Sequence, residues 1–67
     1  MNHTKSIYKK IKELRKSYNY TQEEVAAKLN MSQNAYSILE TGKSKLDIER
    51  LYLLAQLYKI PVAEFLK

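Results

Sequence analysis

The chain has no cysteine, one histidine (His3), one glycine (Gly42) and one proline (Pro61). Without thiols, disulfides and thiolate metal sites are excluded, and a single histidine has no second ligand of the right kind, so no metal and no cofactor is expected. So few turn formers argue against an all-β chain, because sandwiches and barrels need a turn residue every few positions. The longest apolar run is five residues, Leu51 to Ala55, against about 20 for a membrane-spanning helix. Lys5, Lys9 and Lys10 near the start are not followed by an apolar stretch, so the pattern of a secretory signal is missing and the expected location is the cytoplasm. At 67 residues the chain removes only about 60% of its unfolded surface from water on folding. That is enough for one small core, and residues 1–67 are expected to form one domain held by packing alone.

What is present is charge and helical periodicity. Twelve Lys and Arg face seven Asp and Glu, a formal net charge of +5. This suits a polyanionic partner, although lysine-rich solvated surfaces share it. Ile7, Ile11, Leu14 and Tyr18 recur at helical spacing, which predicts a first helix from about Ser6 to Ser17 with those residues on its inner face. Asn19 tolerates positive φ and should stop it, after which Tyr20 packs back inward. Thr21, Gln22, Glu23 and Glu24 read as a capping box opening a second helix of about nine residues, with Val25, Ala26 and Leu29 inward and Asn30 as its stop. Ser32 caps a third helix with Ala35, Tyr36 and Leu39 inward and Gly42 as its left-handed end. Asp47 caps a fourth, with Ile48, Leu51, Leu54, Ala55 and Tyr58 inward, and Pro61 opens a last short helix ending in Phe65 and Leu66. The expected class is all-α, a compact five-helix bundle, because two short helices joined by a tight turn cannot bury their faces alone.

From Thr21 to Gly42 the chain reads TQEEVAAKLNMSQNAYSILETG, and this resembles the helix-turn-helix of the phage repressor/Cro family, also called lambda repressor-like or XRE. Thr-Gln opens the second helix, Ala26 stands at the helix crossing, Ser-Gln opens the third and Glu40-x-Gly42 closes it. A small residue at Ala26 also makes physical sense, since it lets two helix axes approach closely. The flanks, Ile11 to Arg15 and Leu51 to Leu66, are similar to the family's first and last helices. The resemblance implies a DNA-binding domain that places its third helix, about residues 32–40, in the major groove with the N-terminal residues facing base edges.

On that reading Gln33 and Asn34 face base edges, each able to pair bidentately with adenine N6 and N7 for about 1–3 kcal/mol of discrimination. Ser37 and Ile38 come next on the same helix, and Ile38 stands where the family often has a polar residue. An aliphatic side chain there suits either a thymine methyl or a partner protein. Tyr36 replaces the family's usual branched aliphatic and is expected in the core with its hydroxyl near the surface. Gln22 is implied as a phosphate contact, as are Lys43 and Lys45 in the loop after the third helix, each releasing about one counterion on binding. Arg15 and Glu40 match a family ion pair whose role is structural. Tyr52, Leu53 and Leu57 exceed what the inner stripe of the fourth helix needs, and Leu53 and Leu57, one turn apart, form a candidate dimer face.

The expected function is therefore a sequence-specific transcriptional regulator of double-stranded DNA, a repressor by default, acting as a homodimer at least on DNA at a palindromic operator. An enzyme is not expected: there is no glycine-rich loop, and the carboxylates sit on helix surfaces or in caps. A protein-interaction module that keeps the fold without reading DNA, or an antitoxin, is the alternative. A membrane-surface role for the first helix is disfavoured, since its apolar residues are those a core requires.

Overall fold

Local hydrogen-bond chemistry sets the ends of the helices. In the computed structural model, which describes residues 3–66, α1 runs His3–Ser17, α2 Gln22–Lys28, α3 Gln33–Glu40 and α4 Ile48–Tyr58, followed by a 3-10 helix Val62–Leu66. No strand occurs among the described residues. The Thr21 hydroxyl accepts from the Glu24 amide at 3.0 Å while the Glu24 carboxylate accepts from the Thr21 amide at 2.7 Å, so the capping box forms. Ser32 and Asp47 accept in the same way from the Ala35 and Arg50 amides. Asn19, Asn30 and Gly42 adopt φ of 59°, 58° and 83°, the left-handed stops expected of them. Lys59 does so too, at φ 57°, and ends α4 without any glycine or asparagine.

The core gathers side chains from every helix. Ile11, Val25, Leu29, Tyr36, Leu39, Leu54, Tyr58 and Phe65 are almost wholly buried, joined by Tyr8, Ala26, Leu51 and Ala55. The shell of half-buried residues around them includes Ile7, Leu14, Tyr20, Leu53 and Leu57. Helix α1 lies against α3 and the 3-10 helix, α2 packs on α3, and α4 meets the 3-10 helix. The helix pair α2–α3 thus rests on a frame made by the rest of the chain.

Four expectations need correction. The last helix is 3-10, with a bond from the Glu64 amide to the Pro61 carbonyl; five residues are too few to sustain an α-helical ladder alone. Ile48 is not inward but 72% exposed, because as the first residue of α4 it overhangs the end of the core. Tyr18 is exposed because α1 stops at Ser17 and the chain turns out of register with its stripe. Tyr8, which the stripe omitted, is buried, and its hydroxyl donates to the Ser44 carbonyl at 2.7 Å.

Candidate nucleic-acid interface

A short helix can present side chains reliably only if its ends are fixed. Ser32 caps the start of α3. At its end the Glu40 carboxylate, with 3% of its side chain exposed, accepts from Arg15 Nε at 2.7 Å and Arg15 Nη2 at 3.1 Å, from the Gln22 amide nitrogen at 3.0 Å and from the Tyr36 hydroxyl at 2.7 Å. Arg15 Nη1 donates to the Tyr20 carbonyl at 3.0 Å. One carboxylate therefore binds α1, α2 and α3 together, the bidentate geometry being one that arginine suits and lysine does not.

The charges are consistent with this hub. Burial pushes the Glu40 carboxyl up, but hydrogen bonds from Arg15, Tyr36 and Gln22 outweigh it and hold the pKa below the ordinary carboxylate value. The bond to Glu40 raises Arg15. Burial first, and then the bond to Glu40, raises the Tyr36 hydroxyl, so it remains a donor. Tyr36 is fully buried, which corrects the expectation of a hydroxyl near the surface: the oxygen finds its partner inside, one turn along its own helix. The signal was in the sequence, since residues four apart on a helix are neighbours.

The opposite face of α3 is open. Gln33, Asn34 and Ile38 are exposed and Ser37 is half-buried, while Tyr36, Leu39 and Glu40 are buried. At 3.6 residues per turn, positions 33, 34, 37 and 38 share one side. The structure thus brings the four residues read as base-facing onto one surface. Lys43 and Lys45 are exposed in the loop after α3, and the bond from Tyr8 to Ser44 between them ties that loop to α1. Gln22 is half-buried and its amide nitrogen points at Glu40, a role that sequence reasoning missed.

Leu53 and Leu57 are half-buried against the core, so they do not stand out as a free pair. Of the surplus apolar residues of α4 it is Tyr52 that stands in solvent, 58% exposed, together with Ile48. Ile7, Tyr8, Lys45, Leu46 and Leu51 line a groove of about 270 Å³. Among the described residues no helix is long and apolar enough to cross a membrane, and no three His, Asp or Glu residues cluster as a metal site would require.

Comparison with curated proteins and with solved structures gives no match. The helix-turn-helix family model, by contrast, matches residues 11–65, from the buried Ile11 of α1 to the buried Phe65. With that match over most of its length, the chain belongs to the lambda repressor-like (XRE) helix-turn-helix family of DNA-binding transcription regulators.

Proposed function

We propose that this chain is a single sequence-specific DNA-binding domain that lays α3 in the major groove and represses transcription by excluding polymerase from an overlapping promoter. The observation that carries the reading is the polar N-terminal turn of α3, exposed on a helix whose other face is anchored at Glu40. Gln33 and Asn34 carry carboxamides of the kind that pair with adenine N6 and N7, with Ser37 and Ile38 behind them. Lys43 and Lys45, exposed in the loop after α3, supply charges for backbone phosphates, and Gln22 retains a second N–H for a phosphate while its first serves Glu40. The domain is 29 Å in its longest dimension, less than a duplex turn of roughly 34 Å, so one copy reads one half-site and two copies read a palindrome. The homodimer is part of the proposal, with Leu53 and Leu57 as one side of its contact. A second reading, a protein partner in place of DNA, is favoured by the exposed Ile48 and Tyr52.

Selection of bound sequences from a random duplex pool, followed by titration of the winner across salt concentrations, tests the proposal. Gln33→Ala or Asn34→Ala should relax specificity and cost about 1–3 kcal/mol. Lys43→Ala should weaken binding to all sequences alike and lower the salt slope by about one. Enrichment of no sequence, with all variants binding alike, would reject DNA reading in favour of the protein partner.

A further inference from the structure

We propose that Ile38 is a specificity-determining residue that reads the C5-methyl group of a thymine, an inference that rests on the DNA-reading role of α3. Ile38 is 43% exposed and shares its face with Gln33, Asn34 and Ser37. Its four side-chain carbons neither donate nor accept hydrogen bonds, so it can gain only by apolar contact. Among the groups that the four bases present in the major groove, the thymine methyl is the apolar one. A solvated isoleucine at this point of a polar face therefore has one complement on the proposed ligand.

The backbone beneath Ile38 is fixed. Its carbonyl accepts from the Thr41 hydroxyl at 2.6 Å, the Thr41 amide at 3.2 Å and the Lys43 amide at 3.4 Å. A β-branched side chain on a helix is confined almost to one χ1 rotamer. Little freedom remains to be lost when a methyl group packs against it, which makes Ile38 a rigid probe where a lysine or glutamine would be a mobile one.

Position along the helix sets where the thymine lies. Ile38 comes one turn after Asn34, a rise of about 6 Å. A helix lying along the groove also advances around the duplex, so base-pair edges are spaced along it by more than the axial rise of about 3.4 Å, and the thymine falls about one to two base pairs beyond the pair that Asn34 reads. Cytosine at that place lacks the methyl and 5-methylcytosine restores it, so the same contact should favour methylated over unmethylated cytosine.

The test takes the operator selected from a random pool and replaces each thymine of one half-site by deoxyuridine, one at a time, measuring Kd for the wild type and for Ile38→Ala. Thermal denaturation checks that the variant is folded, as expected for a side chain outside the core. One substitution should weaken the wild type about fourfold, the worth of one buried methyl, and leave Ile38→Ala unaffected. The double-mutant cycle isolates the contact. If a specific site is found and no deoxyuridine matters, or if the loss persists in Ile38→Ala, the methyl contact is refuted while DNA reading stands. If no sequence is enriched, DNA reading fails and the methyl contact falls with it.

Discussion

Replacing Glu40 by glutamine tests the hub on which the helix pair rests. The substitution keeps the shape but removes the charge and turns one acceptor into an NH2 donor. Both carboxylate oxygens accept from donors: Oε2 from Arg15 Nε and the Tyr36 hydroxyl, Oε1 from Arg15 Nη2 and Gln22. Whichever way the new amide is turned, a donor faces a donor. Removing one partner of a buried ion pair costs about 3–5 kcal/mol. Arg15, at 13% side-chain exposure, recovers some hydration, so a loss of about 3 kcal/mol is expected. For a domain of this size that corresponds to a melting point lower by roughly 12–24 °C, read by circular dichroism and checked by urea titration.

The sign with pH comes from the depressed Glu40 pKa. A carboxylate held below its unfolded value contributes stability above that value and loses it as pH falls through the folded one. The gap between wild type and Glu40→Gln should thus be full near neutrality and shrink on acidification below the ordinary carboxylate range. A double-mutant cycle with Arg15→Ala and Glu40→Ala should show a coupling of about 2 kcal/mol. A Glu40→Gln loss under about 1 kcal/mol, or a gap independent of pH, would place this pair with ordinary surface ion pairs and refute the account of how α3 is held.

Two further substitutions probe the same geometry. Gly42→Ala should lose about 2 kcal/mol by urea denaturation, since φ of 83° is costly for a residue with a Cβ and that Cβ would lie 3.3 Å from Tyr8 Cδ2; a loss below about 0.5 kcal/mol would show the turn to be pliable. Tyr58→Phe should be neutral or stabilising by about 1 kcal/mol, because the Tyr58 hydroxyl is buried with no hydrogen-bond partner among the described residues and such a group carries its full desolvation cost. Burial pushes that hydroxyl up to about 12, so a spectroscopic titration of the folded protein should lose one high-pH tyrosine transition in the variant.

What the sequence disclosed and what it hid divide along a physical line. Thr21, Ser32 and Asp47 cap helices by bonds three residues away, and Asn19, Asn30 and Gly42 turn the chain by their own backbone preferences; both are local and therefore visible in a string of residues. Lys59 takes the same left-handed conformation with no such preference, because packing of α4 against the 3-10 helix overrides it. The bond from Tyr8 to Ser44 spans 36 positions, and no periodicity reports it. Ile48 obeyed the helical period yet lies outside, since period gives a direction around an axis and not where along that axis the core ends. At the candidate interface, the inner side of α3 was legible from spacing, and the residues of its open face through the family resemblance. That Gln22 leans on Glu40 was not, since a glutamine carries no mark of which partner it will choose.

The residues that hold α3 are not the residues proposed to read DNA, and this separation has consequences for how the protein can change. Ser32 fixes the start of α3, Tyr36 and Glu40 its buried side, and Gly42 the turn beyond it; Gln33, Asn34 and Ile38 lie on the other side, in solvent. Surface substitutions away from caps and buried networks cost little stability, within about 0.5 kcal/mol. The exposed three can therefore be exchanged to move the preferred sequence while the domain stays folded. A change at Glu40 or Gly42 should act in the opposite way, lowering the population of domains with α3 in place and so weakening binding to every sequence by the same factor. Comparing the ratio of affinities for two operators, rather than either affinity alone, distinguishes these cases. A constant ratio in Glu40→Gln alongside a shifted ratio in Asn34→Ala would show that holding and reading are separate functions of the two faces of one eight-residue helix.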